Sequence, residues 1–314
     1  MIASDFSEHT IGKLKVDVCD LPPPSYQLRL SALDAHRGPL RTCGPFSCIG
    51  IFLMPRYFAC VLVLVIATLS ATPASAADIR VMISAGFFQV YAQLGPAFEK
   101  STGHKLITTR GPSVGDSPEA IPARLTRGEQ ADVVIMDGHG VDILDQRGLA
   151  QPNSRIPLAE SFIGMVVRAG QPKPDISTVE ALRKTLLAAK SIAYSDSSSG
   201  TYLSTVGFKK LGIADEIAGR TRKVRGPPSG EPVAAVVARG EAQVGFQQVA
   251  ELIHVPGADF VGTVPAEIQP PTFFVGALPK GSQQPEAAVA LLRFLSSAEA
   301  ASVITKAGLK PLAR

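Results

Sequence analysis

The sequence contains no tryptophan, and aromatic residues make up only 6% of its 314 residues. Proteins that bind single-stranded nucleic acid stack the bases on exposed aromatic rings, and few such rings are available here. Charge is also sparse, since charged residues make up 18% of the chain and the formal net charge is +4. The densest basic segment, residues 220–225, fits an ordinary solvated surface. These absences argue against a nucleic-acid partner.

Cysteine is absent from the greater part of the chain. The four cysteines, Cys19, Cys43, Cys48 and Cys60, all precede residue 61. Residues 77–314 can therefore form neither a disulfide framework nor a thiolate metal site, and they offer no catalytic thiol. The histidines are scattered, without the ligand spacing of a zinc site. We expect no metal and no cofactor.

An export signal is predicted near residue 54. The basic start Met54-Pro55-Arg56 precedes the apolar run Tyr57–Leu69, and the small residues Ala74-Ser75-Ala76 follow it. This order is typical of a secretory signal peptide. The apolar run is too short for a membrane-spanning helix, which takes about 20 residues. We expect a signal peptide at residues 54–76, cleavage after Ala76 and a periplasmic protein.

A signal peptide that begins at Met54 leaves residues 1–53 unexplained. They contain Pro22-Pro23-Pro24 and show no sustained hydrophobic period. A signal peptide would work poorly behind such a leader. We interpret residues 1–53 as a misassigned extension and expect translation to start at Met54.

Strand and helix patterns alternate after Ala77, with Gly or Pro at most junctions. Apolar runs such as Ala131–Met136, in which Asp132 is the one polar residue, are typical of buried parallel strands. The predicted strands are 79–83, 105–109, 131–136, 162–167, 191–194 and 242–246. Helices are predicted before Gly103, from an N-cap at Ser117, from Val141, over 177–190, from Gly200 to Leu211, and over 231–239, 285–295 and 298–306. Such repeated strand–helix–strand units indicate an α/β fold.

Three junctions share one design, in which a strand runs into Gly- and Ser-rich residues and then a helix. They are Ser84-Ala85-Gly86, Gly111–Ser117 and Ser195–Gly200. Free backbone N–H groups and the positive end of the helix dipole suit such junctions to anions. Each alone is an ordinary cap or turn. Together, at the carboxyl ends of strands, they predict a cleft for a small anion.

Several segments resemble the periplasmic molybdate-binding proteins, a branch of the solute receptors of ABC importers. The segments with this similarity are Ile79–Gly86, Leu94–Gly103, Gly128–Ile135, Leu144–Leu149, Val236–Gly245 and Leu292–Gly308. The resemblance implies a two-lobed periplasmic-binding-protein fold of type II. Each lobe would be a mixed, mainly parallel sheet flanked by helices, with the ligand cleft between lobes. It also implies a monomer that delivers its ligand to an ABC transporter permease.

The same resemblance implies lobe boundaries. Lobe I would comprise residues 77–161 plus 279–314, and lobe II residues 162–278. Two crossing segments form the hinge of such receptors, and ligand binding would close the lobes.

The ligand loops depart from the molybdate-binding pattern. Gly111–Gly115, Ser197–Gly200 and Phe246-Gln247-Gln248 differ where that family hydrogen-bonds its oxyanion. Arg110 and Arg124 lie beside the second loop, and arginine forks bind carboxylates. A larger, carboxylated anion such as aconitate or tricarballylate is therefore an alternative to a molybdate-type oxyanion. The Ser195–Gly200 loop is also similar to that of aconitate isomerase, a periplasmic enzyme on the same scaffold.

Two functions stay open on sequence: a receptor for a small anion, and an aconitate isomerase. For either, the predicted ligand-binding residues are Ser84, Gly86, Ser113, Ser197, Ser198, Ser199, Gly200, Tyr202, Arg110, Arg124 and Gln247. Allylic isomerisation also needs a positioned base and acid to move one proton. His139 and Asp196 are the predicted catalytic residues if the protein is an enzyme.

Overall fold

A computed structural model describes residues 76–312. The predicted leader, residues 1–53, and the predicted signal peptide up to Ser75 lie outside the described residues. The strands are β1 Asp78–Ile83, β2 Lys105–Arg110, β3 Val133–Asp137, β4 Ile156–Ser161, β5 Ile163–Arg168, β6 Ile192–Ser195, β7 Thr221–Val224, β8 Val244–Gln248, β9 Ala258–Thr263, β10 Thr272–Ala277 and β11 Lys310–Pro311.

Helices connect most of these strands. They are α1 Ala85–Thr102, α2 Ile121–Thr126, α3 Gly138–Gln146, α4 Val179–Ala188, α5 Ser198–Tyr202, α6 Phe208–Lys210, α7 Ala214–Ile217, α8 Val233–Ala238, α9 Val249–Leu252, α10 Pro285–Leu295 and α11 Ala301–Lys306. A π-helical segment, Leu203–Gly207, joins α5 to α6. No helix within residues 76–312 is both long and apolar enough to cross a membrane.

The strands form two mixed sheets, and each sheet is the centre of one lobe. The first has the order β11-β4-β10-β3-β1-β2, and the second β7-β6-β8-β5-β9. Parallel pairs lie on one side of each sheet, such as β1 with β2 and β6 with β7. Antiparallel pairs lie on the other side, such as β10 with β3 and β5 with β8. The two-lobed α/β fold is as predicted, with more antiparallel pairing than the sequence indicated.

The chain crosses between the sheets after β4 and again before β10. Because β10 pairs with β3 and β4, residues 272–277 belong to the first sheet, although the sequence analysis assigned them to lobe II. The lobe boundaries stay a prediction. Because of this pairing, we propose that the chain returns from lobe II to lobe I before Thr272, rather than at residue 279.

Both faces of each sheet are covered, which explains the continuous apolar strands. All of β3 is buried. Val133 and Ile135 pack with α1 and α10 on one face, whereas Val134 and Met136 pack with Ile121 and Leu144 on the other. Successive side chains of a strand point to opposite faces, so a strand between two helical layers needs apolar residues throughout.

Several local predictions are confirmed. Gly103 ends α1 with a positive φ of 78°, and Gly212 follows α6 with a φ of 66°. The predicted N-cap at Ser117 is wrong. Ser117 accepts a hydrogen bond from the backbone N–H of Glu119 in a turn, and α2 begins only at Ile121, with a proline in its first turn. Ile121-Pro122 thus supplies the helix start that the sequence analysis assigned to Ser117-Pro118.

Candidate functional site

A small cavity lies where the strand ends of the two sheets meet. Its walls come from the residues that follow β1, β2, β3, β6, β7 and β8, together with one side chain of β10. The lining residues are Ser84, Ala85, Gly86, Gly111, Pro112, Asp137, Asp196, Ser197, Ser198, Ser199, Gly226, Pro227, Gln247, Gln248, Glu251 and Phe274. We call this space the central cavity. Ligands of open α/β sheets bind at the carboxyl ends of strands, and the central cavity lies at such strand ends.

Ser84 gives the central cavity a free hydroxyl. It precedes α1 as the N-cap, yet its side chain makes no capping hydrogen bond. It is only 4% exposed. Among residues 76–312, its Oγ is one of the few buried side-chain polar atoms without a partner. A buried hydroxyl without a partner costs free energy, which a ligand oxygen would recover.

The loop after β6 contributes a cluster of hydroxyl groups. Ser195 Oγ lies 2.9 Å from Ser197 Oγ and 3.1 Å from Ser199 Oγ. Gly200 does not line the central cavity, and it has a packing role instead. A Cβ at Gly200 would lie 1.7 Å from the carbonyl oxygen of Ser195, so only glycine lets α5 start this close to its own strand.

Asp137 and Ser198 join the lobes across the cavity. Asp137 is the N-cap of α3, and its Oδ1 accepts from the backbone N–H of Gly140 at 2.9 Å. Its Oδ2 accepts a hydrogen bond from the hydroxyl of Ser198. Ser113, predicted as a ligand residue, lies behind this contact, because its Oγ accepts from the backbone N–H of Asp137 at 3.0 Å.

Glu251 is a carboxyl group that the sequence analysis missed. It lies in α9 and lines the central cavity. Burial raises its pKa from an ordinary value of 4.5 to about 8. A hydrogen bond from Gln247 and the charge of Arg110 act in the opposite direction, and the charge of Asp196 adds to the increase in pKa. A carboxyl with such a pKa carries a proton at pH 7 and can exchange it.

Arg110 is the cation whose charge acts on the Glu251 carboxyl. Its guanidinium stacks on the ring of Phe88, 4.0 Å from the centroid. Burial lowers its pKa, and the charge of Glu251 opposes that effect. Its Nε is buried and, within the described residues, has no hydrogen-bond partner. Arg110 precedes Gly111, which lines the central cavity, and its free donor suits a carboxylate.

Arg124 bonds to residues outside the central cavity. Its Nε donates to the carbonyl oxygen of Glu119 at 3.0 Å, and its second donor forms a 2.8 Å salt bridge with Glu129. It does not line the central cavity. The arginine therefore holds the segment around α2 in place.

A second cavity adjoins the first and contains His139 and Tyr202. Asp137, Ser198 and Ser199 line both cavities. His139 is exposed. Tyr202 donates its hydroxyl proton to the carbonyl oxygen of Ile268 at 2.7 Å. Of the two predicted catalytic residues, the structure places Asp196 in the central cavity and His139 beside it.

A further contact between the lobes lies at the rim. Glu119 accepts a hydrogen bond from the hydroxyl of Ser229 and lies 3.3 Å from Arg225. These contacts lower the pKa of Glu119, with the Ser229 bond as the largest cause. Arg225 is half exposed, so its ion pair contributes little by itself.

The sequence carried only a weak signal for Glu251. It lies four residues after Gln247, a helical spacing, and it follows a strand end as the predicted loops do. That junction lacks the Gly and Ser residues by which the other loops were recognised. Among residues 76–312, no group of three or more His, Cys, Asp or Glu side chains could hold a metal ion.

Comparison with known proteins gives the family. Residues 79–310 match the model of the bacterial extracellular solute-binding proteins. An aconitate isomerase of Pseudomonas sp. is 47% identical over 248 residues, which is 78% of this chain and 93% of that protein. The molybdate-binding protein ModA of Azotobacter vinelandii is 27% identical, over 77% of this chain and 93% of its own.

A solved structure shares the fold. The periplasmic molybdate-binding protein of Azotobacter vinelandii superposes with a TM-score of 0.59 at 22% identity, over 75% of this chain and all of that chain. The chain belongs to the bacterial extracellular solute-binding protein family, as its resemblance to molybdate-binding proteins predicted.

Proposed function

We propose that this protein is a periplasmic aconitate isomerase, which interconverts cis- and trans-aconitate by moving one proton. The observation that carries the proposal is that two carboxyl groups, Glu251 and Asp196, line one cavity, where burial raises the pKa of Glu251 to about 8. The relative named aconitate isomerase supports it, since its 47% identity extends over 93% of that protein.

The reaction needs only acid–base groups. A base takes a proton from the methylene carbon of aconitate, and the electrons of that C–H bond form the new double bond. The electrons of the old double bond take up a proton at the former vinylic carbon. One hydrogen and one double bond change places, and nothing else is consumed. We propose Asp196 as the base and Glu251 as the acid, reversed in the back reaction.

The substrate's negative charge calls for hydrogen-bond donors. Ser84 Oγ and Arg110 Nε are buried at or beside the central cavity and have no partner among the described residues. The first turn of α1, an 18-residue helix, adds backbone N–H groups beside Ser84. Donors fixed in this way stabilise carboxylates and the extra charge of a deprotonated intermediate.

A receptor for a small anion is the second candidate, because the family comprises solute-binding proteins. Such a receptor would pass its ligand to an ABC transporter permease. It would hold aconitate, tricarballylate or a molybdate-type oxyanion with the same donors and return it unchanged.

Two assays on the purified exported protein separate these candidates. Thermal shift with aconitate, tricarballylate and molybdate identifies the ligand class, since a ligand of the folded state raises the melting temperature. Chromatography after incubation with cis-aconitate then detects turnover. We expect trans-aconitate to form at a rate proportional to protein. Tight binding of aconitate without turnover would make the protein a carboxylate receptor, and binding of molybdate alone would refute both carboxylate functions.

A further inference from the structure

Gln247 has a fixed orientation at the end of β8. Its side chain is 1% exposed. Its Oε1 accepts from the backbone N–H of Val233 at 2.9 Å, and its Nε2 donates to Glu251 Oε1 at 2.6 Å. A backbone N–H can only donate, so the amide oxygen must face Val233 and the amide nitrogen must face Glu251. A flipped amide would place its NH2 group against the N–H of Val233 and lose that bond.

This orientation decides how Glu251 is bonded. Because Gln247 offers Glu251 only a donor, Oε1 of Glu251 acts as an acceptor. The carbonyl oxygen of a neutral carboxyl group is its better acceptor, so the acidic hydrogen belongs on Oε2. We propose that Gln247 is a positioning residue, which leaves the Oε2 hydroxyl of Glu251 free to serve the substrate. The inference rests on the proposed function, in which Glu251 is the acid.

The same contact anchors Gln247 to α8. Val233 is the first residue of that helix, and its N-cap, Pro232, offers no side-chain cap. Gln247 Oε1 fills that role, which accounts for the buried amide at this position of β8. Gln247 is one of the ligand-binding residues predicted from sequence. Its Oε1 and its Nε2 both bond within the protein, and on this proposal it acts on the ligand through Glu251.

The charged groups that act on Glu251 are Arg110 and Asp196. Gln247 stabilises the ionised carboxylate, since its amide can only donate to it. Loss of that donor would favour the neutral acid. Removal of Gln247 should therefore raise the pKa of Glu251. If Gln247 served only for packing, its removal would leave that pKa unchanged.

The test is a titration of Glu251 in the exported protein without substrate. Carbon-13 NMR follows the glutamate carboxyls from pH 5 to 10, and the Glu251→Gln variant assigns the signal. In Gln247→Met we expect the midpoint to rise by about one pH unit, the size of one hydrogen bond to a charged group. Gln243→Met is the matched control, because Gln243 is exposed and its Oε1 likewise accepts a backbone N–H, from Lys190 at 2.8 Å.

An unchanged midpoint in folded Gln247→Met, or an equal change in Gln243→Met, would overturn the proposal. If Gln247→Met does not fold, Gln247→Glu preserves the shape and the acceptor for Val233. Two neighbouring carboxyls then replace the donor, and the pair titrates in two steps. An upper midpoint at or below the midpoint of native Glu251 would equally overturn the proposal.

Activity is a separate readout. With cis-aconitate, the basic limb of the pH–rate profile should move upward by the same amount in Gln247→Met. If the native protein shows no turnover, the isomerase proposal fails, while a shifted NMR midpoint would still establish that Gln247 controls the protonation of Glu251.

Discussion

The hydroxyl of Ser198 donates a hydrogen bond to Oδ2 of Asp137, and this contact connects the first turn of α5 in one lobe to the N-cap of α3 in the other. Both residues line the central cavity and the cavity that adjoins it. Ser113 and Gly140 hold the aspartate in place through its backbone N–H and its other oxygen. The acceptor is thus rigid, and we infer that the contact favours closure of the lobes.

Ser198→Ala should weaken ligand binding by about 0.5–1.5 kcal/mol, the net value of one hydrogen bond. In Ser198→Ala the closed form would lose the Ser198–Asp137 hydrogen bond, which we do not expect in an open form. Isothermal calorimetry with tricarballylate, which has no double bond to rearrange, measures this effect without turnover. Ser204→Ala is a suitable control, because the hydroxyl of Ser204 donates to the backbone carbonyl oxygens of Gly200 and Thr201 in α5. Equal affinities in the native protein and Ser198→Ala would contradict the assignment.

Ser84→Ala and Ser113→Ala should differ in kind. Ser84 has no partner for its hydroxyl within residues 76–312, so its loss should weaken binding by about 1–3 kcal/mol and should raise the unfolding free energy, because the cost of the unpaired buried hydroxyl is removed. Ser113→Ala leaves the buried N–H of Asp137 without its acceptor, which should lower the unfolding free energy by about 1–3 kcal/mol. Urea unfolding and calorimetry on both variants check this. Equal changes in affinity and in unfolding free energy for the two variants would be inconsistent with the structure.

Glu251 should make stability depend on pH. Its pKa is about 8 in the folded protein, against an ordinary 4.5, so the folded state binds more protons between these values. The stability that this group contributes is therefore complete below about pH 4.5 and is lost as pH rises to about 8, by at most about 1.4 kcal/mol per pH unit.

Urea unfolding from pH 5 to 9 tests this point. The difference in unfolding free energy between the native protein and Glu251→Gln should decrease as pH rises and then level off above about pH 8. A difference that stays constant across the range would show that Glu251 is not protonated in the folded state.

We predict that the exported protein begins at Ala77, because Ala74-Ser75-Ala76 is the predicted cleavage site after the apolar run. N-terminal sequencing of protein from the periplasmic fraction measures this directly. A start at or before residue 54 would contradict the predicted signal peptide.

Local patterns predicted much of the fold. Three features could be predicted because each depends on neighbouring residues: the apolar run in β3, the glycine that ends α1 and the helix Pro285–Leu295. Strand β10 was not predicted. It pairs with β3, whose residues are more than a hundred positions away, so its place depends on tertiary contacts.

Site residues could be predicted only where a short sequence pattern marks them. The serines of the strand–helix junctions carried a signal, and Ser84, Ser197, Ser198 and Ser199 line the central cavity. Glu251 has an unremarkable sequence context, and α9 comprises only Val249–Leu252. Its raised pKa comes from burial in the folded protein, which no short segment encodes.

The central claim is that a proton moves through Glu251 in this cavity, and one comparison tests it most directly. The rate of trans-aconitate formation from cis-aconitate is measured for the native protein, Glu251→Gln and Glu267→Gln, with tricarballylate affinity measured in parallel. Glu267 is the control because it is exposed and does not line the central cavity. We predict that Glu251→Gln still binds but loses at least about 100-fold in rate, the typical contribution of an acid–base group, whereas Glu267→Gln is unaffected. Isomerisation by Glu251→Gln at the native rate would contradict the account.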